Sequence, residues 1–263
     1  MAQEGFTQLI MSNKVALVTG ASSGIGRATA LIFAREGWNV AAVGRNEAEL
    51  NKLKTDGHHL NGSIKTFLAD VLENSQIERV INDCIDNFSR LDCVVNAAGI
   101  IKSGTIENTS LDEWDKMLDV NLRSVFYIMQ RVIPHLEKTR GSIVNVSSIT
   151  GTRAFPGVLA YCVSKAGVDQ LTRCAALELA QKGIRVNAVN PGVVETNLHK
   201  RGGMSEEEYE KFLANSVNTH PLGRAGQPEE VAELIYFLAS EKAKWITGVT
   251  YAVDGGRSQT CAR

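Results

Sequence analysis

A set of absences narrows the class of this chain before any motif is read. It has almost no net charge, because 28 Lys and Arg against 29 Asp and Glu leave −1 over 263 residues. So even a balance offers no electrostatic footprint for nucleic acid and no pull towards an anionic membrane. No stretch approaches the ~20 consecutive apolar residues of a membrane-spanning helix. The segment 1–12 is short and mixed and lacks the apolar core of a signal peptide, so it reads as a flexible lead-in to a cytoplasmic protein. The cysteines (Cys84, Cys93, Cys162, Cys174 and Cys261) are odd in number and include no C-x-x-C pair. That argues against disulfides and thiolate metal sites and for buried thiols in a reducing compartment. The histidines (His58, His59, His135, His199 and His220) have no metal-ligand spacing and read mostly as surface residues, so no metal is expected.

A hydrophobic content of 44% and a charged content of 22% are those of an ordinary globular protein. Short apolar runs alternate with longer helical patterns. Strands are expected at 15–19, 39–43, 64–69, 93–96, 142–147, 184–189 and 248–253. Helices are expected at 24–37, 46–55, 73–88, 111–136, 159–181 and 228–239. Apolar strands separated by helices imply a parallel sheet covered on both faces, hence a single-domain, doubly wound α/β fold of Rossmann type over 13–263. No linker rich in Pro, Gly or Ser divides it, and no repeat is visible. Only 193–227 breaks the alternation, and it reads as a substrate lid, with a plain surface insertion as the rival reading.

Between the first strand and the first helix stands Thr19-Gly20-Ala21-Ser22-Ser23-Gly24-Ile25-Gly26. Gly20 permits a tight exit from the strand, and Gly24 and Gly26 permit close backbone approach. The helix N-terminus then offers free N–H groups and the positive end of its dipole to a pyrophosphate. The Gly-x-x-x-Gly-x-Gly spacing is neither Gly-x-Gly-x-x-Gly nor a P-loop, yet its position at the first strand–helix turn favours a dinucleotide. The residue that reads the ribose is expected at the end of the second strand, where Gly44-Arg45-Asn46 stands. A guanidinium there grips a 2′-phosphate, so NADP (NADPH) is favoured over NAD. Glu47 is a rival acid that reads better as a first-turn helix residue, and Arg45 as a plain surface charge is the competing view.

Tyr161 and Lys165 stand four apart in an expected helix and share a face. An ammonium beside a phenol is expected to lower the tyrosine pKa and fit it for proton transfer near neutral pH. A surface pair would give the same spacing.

Taken in order, these residues resemble the short-chain dehydrogenase/reductase family along nearly the whole chain. The matches are Thr19-Gly20-x-x-x-Gly24-x-Gly26, Asp70, Asn96-Ala97-Ala98-Gly99, Asn121, Ser148, Tyr161-x-x-x-Lys165 and Pro191-Gly192. The late Asp254-Gly255-Gly256 is similar to the 3-oxoacyl-[acyl-carrier-protein] reductase-like and glucose-dehydrogenase-like branch. The resemblance implies roles. Tyr161 would be acid or base, Lys165 would tune it and bind the nicotinamide ribose, and Ser148 would polarise a carbonyl. Asn121 would hold a water for proton return. Ser147 adjoins Ser148, but the family's serine stands thirteen residues before the tyrosine, which selects Ser148. Cofactor contacts would come from Gly20, Ser22, Ser23, Gly24, Ile25, Gly26, Arg45, Asn46, Asp70, Val71, Asn96, Ala97, Gly99, Tyr161, Lys165, Pro191, Gly192, Val194 and Thr196. Asn197 is an alternative to Thr196, and Pro191-Gly192 also reads as an ordinary turn.

The expected activity is NADP-dependent interconversion of a ketone or aldehyde and a secondary alcohol. Segments 149–158 and 193–227 would shape the pocket with Thr152, Arg153, Phe155, Leu198, Met204 and Phe212. That mixed set names no substrate. The helices at 111–136 and 159–181 carry apolar residues on a second face, which suggests a homo-oligomer, and the family commonly forms tetramers. A non-catalytic dinucleotide sensor or scaffold, and an isomerase or lyase with the same site, are the rival functions. The intact Asn121, Ser148, Tyr161 and Lys165 argue against the sensor.

Overall fold

Strand β1 (Val15–Thr19) is buried along its whole length. Its side chains alternate: Val15 and Leu17 enter one apolar cluster, Ala16 and Val18 another. A strand apolar on both faces needs cover on both, which dictates the layering. The computed structural model describes residues 14–260, so the lead-in 1–12 and Cys261 lie outside the described residues. Strands β2 (Asn39–Gly44), β3 (Ile64–Leu68), β4 (Cys93–Asn96), β5 (Ser142–Val146), β6 (Arg185–Pro191) and β7 (Thr250–Val253) complete the sheet. Their order is β3-β2-β1-β4-β5-β6-β7, with every neighbouring pair parallel.

Helices α1 (Gly24–Arg35) and α2 (Glu47–Asp56) pack on one face, while α3 (Asn74–Phe88) packs on the other. The second face also takes an extended helical stretch made of α4 (Leu111–Leu118), one π-helical turn at Asp119–Arg123 and α5 (Ser124–Thr139). One unbroken helix over 111–136 was the expectation; the π turn adds a residue to one turn, and such bulges gather at functional sites. Helix α6 (Leu159–Leu179) follows β5. The architecture is the expected doubly wound α/β sheet.

The segment 193–227 is more ordered than its composition suggests. It holds α7 (Leu198–Arg201), α8 (Glu206–Ala214) and α9 (Ser216–Thr219). Helix α8 starts in a capping box, in which Ser205 Oγ accepts from Glu208 N (3.3 Å) and Glu208 Oε2 accepts from Ser205 N (2.8 Å). Helix α10 (Pro228–Ala239), with proline in its first turn, returns to the sheet and packs with α1.

The chain leaves β1 towards β2 and β3, then crosses back to β4 on the other side. The strand order therefore reverses between β1 and β4, and the crevice at their carboxyl ends is where such sheets take ligands.

Candidate active site

Gly20 leaves β1 at φ +67°, and a Cβ there would lie 2.8 Å from Ala98 N and 2.9 Å from the Ala97 carbonyl carbon. A Cβ on Gly26 would lie 2.4 Å from Gly20 O, so α1 rests directly on the turn. The Thr19 hydroxyl accepts from Ala97 N (3.1 Å) and Ala98 N (3.2 Å), which ties the end of β1 to the turn after β4. Gly24 faces the Thr196 side chain. Ser22 is buried against Gly44 at the end of β2, and Ile25 packs on the core. Ser23 precedes α1, and its Oγ accepts from Arg201 Nη1 of α7 (3.0 Å), which brings the proposed lid onto the glycine turn. The cradle is backbone-lined, opens at a helix N-terminus and has no room for side chains at Gly20 or Gly26, so these residues fit a pyrophosphate.

Beyond β2 and β3 stand the groups expected to read the ribose and adenine. Arg45 is exposed, and its Nη1 donates to Asp70 Oδ2 (3.3 Å). Asp70 Oδ1 accepts from Leu72 N (3.0 Å), while Val71 is buried in the core. Asn46 Oδ1 accepts from Glu49 N (3.1 Å), so its side chain caps α2, and Glu47 sits in the first turn of that helix as expected.

After β4 the Asn96 side chain turns into the sheet, where Nδ2 donates to Asn145 Oδ1 (2.9 Å). Ala97 and Gly99 are half-buried in the loop, Ala97 packing on the core, and a Cβ on Gly99 would stand 3.3 Å from Asn121 Oδ1 and 3.7 Å from Lys165 Nζ. Asn121 lies in the π turn. Its amide clamps Ile100, donating to Ile100 O and accepting from Ile100 N (both 2.9 Å), and it donates to Ser164 Oγ (3.0 Å). The Asn121 side chain is thus committed to Ile100 and Ser164.

Past β6, Pro191 ends the strand and Gly192 N donates to Val253 O (3.2 Å). Val194 is buried, and Thr196 is fixed by Tyr209, whose hydroxyl accepts from Thr196 N (3.0 Å) and donates to Thr196 O (2.8 Å). Asn197 is exposed just ahead of α7. His220 corrects the reading of the histidines as surface groups: it is buried, and its Nε2 accepts from Val193 N (3.2 Å). Among the described residues the buried thiols are Cys84 and Cys93, each pushed up to about 12 by burial, with Cys162 half-buried and Cys174 exposed. Among the described residues no cluster could hold a metal.

The catalytic candidates meet where β5 ends. Ser148 has extended backbone and caps a short turn at Ile149–Gly151, its Oγ accepting from Thr150 N (3.2 Å). The Ser148 hydroxyl also acts on the Tyr161 phenol, which stands in the first turn of α6, and lowers its proton affinity. Lys165, one turn further on, donates from Nζ to Val146 O (2.8 Å) and stands 5.6 Å from the centre of the Tyr161 ring. Both side chains are buried.

The electrostatics depart from the expectation. Burial pushes the Tyr161 phenol up to about 12, against the Ser148 hydroxyl, which favours the phenolate. Burial pulls the Lys165 ammonium down to about 8, against the opposing charge of Asp169. Spacing alone predicts a depressed tyrosine, but in this geometry burial dominates, and the ammonium donates to the Val146 carbonyl.

The chain belongs to the short-chain dehydrogenase/reductase family. Residues 20–258 match the family model described as enoyl-(acyl carrier protein) reductase. A short-chain dehydrogenase/reductase of unknown function from Caenorhabditis elegans, solved with cofactor, is 37% identical, with a TM-score of 0.90 over 95% of this chain and 97% of that one. The 3-oxoacyl-[acyl-carrier-protein] reductase FabG of Thermotoga maritima is 41% identical over 94% of this chain and 98% of its own length. Cyclohexanol dehydrogenase of an Acinetobacter species is 39% identical over 93% and 94%. Membership makes the chain an oxidoreductase that moves hydride between a nicotinamide cofactor and a carbonyl–alcohol pair.

Proposed function

We propose that the chain is an NADPH-dependent carbonyl reductase with Tyr161 as its acid and base. The observation that carries this is the meeting of buried Ser148, Tyr161 and Lys165 where β5 ends, with Lys165 Nζ 5.6 Å from the centre of the Tyr161 ring. The turn Gly20–Gly26, the Ala97–Gly99 loop and Thr196 would hold the cofactor, which supplies or accepts the hydride. In reduction Ser148 holds the carbonyl oxygen and Tyr161 gives it a proton as negative charge develops there. Lys165 then stabilises the phenolate until it is reprotonated from solvent. A phenol protonated at neutral pH is the form that reduction needs, which supports that direction. Arg45 supports NADPH, since its guanidinium is exposed and its one ion pair among the described residues is the 3.3 Å contact with Asp70.

Segments 149–158 and 193–227 form the substrate side of this reading. Arg257 lies over the Phe155 ring (5.1 Å) and the His199 ring lies tilted against Phe212 (4.5 Å), so apolar rings lie next to polar groups there. Exposed apolar side chains on α4, α5 and α6 support self-association. The sensor reading lacks an observation of its own.

Titration with NADPH and NADH, followed by reduction of a ketone panel (acyl thioester, quinone, diketone, steroid, sugar), tests the proposal. Turnover with NADPH is the expected result. Tight NADPH binding with no turnover on any class would overturn it in favour of the sensor.

A further inference from the structure

Asp169 is fully buried on α6, one turn beyond Lys165 and two beyond Tyr161. A carboxylate so placed carries a desolvation cost of several kcal/mol that a leucine would not, so its presence calls for an explanation. Its contacts join the segments that carry the catalytic candidates. Asn190 Nδ2, at the end of β6, donates both to Asp169 Oδ2 (2.9 Å) and to Ser148 O (2.8 Å). The turn after Ser148 presses on the same carboxylate, because a Cβ on Gly151 would lie 2.4 Å from Asp169 Oδ2. Ser147, the residue before Ser148, donates from Oγ to Lys165 O (3.1 Å). Asp169 Oδ1 has no hydrogen-bond partner among the described residues.

We propose that Asp169 is a positioning residue for the reaction: through Asn190 and Gly151 its buried carboxylate holds the turn that carries Ser148. This inference rests on the reductase reading. The charged groups that act on Asp169 are Lys165 and Arg173, both on α6. From β5, β6 and the turn packed on it come Ser147, Asn190 and Gly151, none of which titrates. Burial raises the proton affinity of the carboxyl, opposed by Ser147, Asn190 and the two cations. Its charge in turn is what opposes the desolvation of Lys165.

The test uses Asp169→Asn, whose amide oxygen still accepts from Asn190 while the charge is gone. The kcat and KM for NADPH-driven reduction, on whichever panel ketone the wild type turns over fastest, are measured from pH 5 to 10. Wild-type turnover is read first; its absence removes the reductase reading itself. With an active wild type, Asp169→Asn is expected to keep KM and to lower kcat about tenfold. Its alkaline limb moves about one pH unit lower, since losing an anion makes Tyr161 and Lys165 more acidic. A profile that superimposes on that of the wild type overturns the proposal, because an amide mimics a carboxyl that is already neutral. A fall in kcat that tracks lost thermal stability, with the limb unmoved, also overturns it. Asp169→Ser carries the same readout if the amide variant does not fold. Failure of both variants to fold would make Asp169 a structural residue and equally end the proposal.

Discussion

Arg45 and Asp70 meet across the carboxyl ends of β2 and β3, with Nη1 3.3 Å from Oδ2. At this length, and with Arg45 exposed, the pair holds the guanidinium loosely over the place where a ribose would lie. A 2′-phosphate would offer it a stronger, two-pronged partner. Arg45→Ala is therefore expected to weaken NADPH binding by about 10- to 100-fold, the range for a lost charge-assisted hydrogen bond, and to leave NADH within about threefold. Fluorescence titration of both cofactors checks this. Equal losses for the two would show that Arg45 does not read the phosphate.

Tyr161→Phe removes one hydroxyl from a buried site and leaves the ring in place. The expected result is a fall in kcat of about 10²- to 10⁴-fold, the worth of a general acid, with unchanged thermal stability and cofactor affinity. Steady-state kinetics, calorimetry and titration together test it. Retained activity would remove Tyr161 from the mechanism.

Lys165 gives a stability signature with a definite sign. Its pKa falls from the ordinary 10.5 to about 8 on folding. Between these values the unfolded chain binds more protons, so the contribution of Lys165 to stability rises with pH across that window and is lost as pH falls through it. The melting temperature of Lys165→Met relative to the wild type should therefore fall as pH rises from 8 to 10, on the order of 5 °C. Comparing the two proteins cancels Cys84, Cys93 and Tyr161, which titrate in both. A gap that stays constant with pH would contradict a depressed lysine.

Leu111 and Leu177 are about four-fifths exposed, at 79% and 81%, and Phe126 and Val163 are exposed on the neighbouring helices. Covering such side chains is worth ~25 cal/mol for each Å² removed from water. Light scattering is expected to give a multiple of 28.5 kDa, and Phe126→Glu with Leu177→Glu to reduce it without unfolding the chain. A monomeric wild type would reject this surface as a subunit contact.

Much of the fold was legible because β1, β4 and β5 are apolar runs that only a covered parallel sheet can bury. The glycine turn was legible because Gly20 and Gly26 leave no room for a side chain, a demand that sequence spacing records directly. Helix α8 was missed, although Ser205 and Glu208 mark its start, because Gly202 and Gly203 just before them read as loop. The proton affinity of Tyr161 went the other way because spacing reports the neighbour but not the burial. The contact between Arg201 and Ser23 joins residues 178 apart, and Asp169 reaches Ser148 only through Asn190, so neither could be read along the chain.

The π turn at Asp119–Arg123 turns chain length itself into a constraint. The wider turn absorbs one residue more than an α-helical turn, so deleting one here would restore an ordinary turn and leave α4 and α5 in register. The apolar stripe of α5 would stay on the sheet, while the bulge that carries the Asn121 amide to Ile100 would go. A single deletion in this turn is thus expected to leave the chain folded but without that clamp, whereas the same deletion within α5 would rotate the rest of the helix by about 100°.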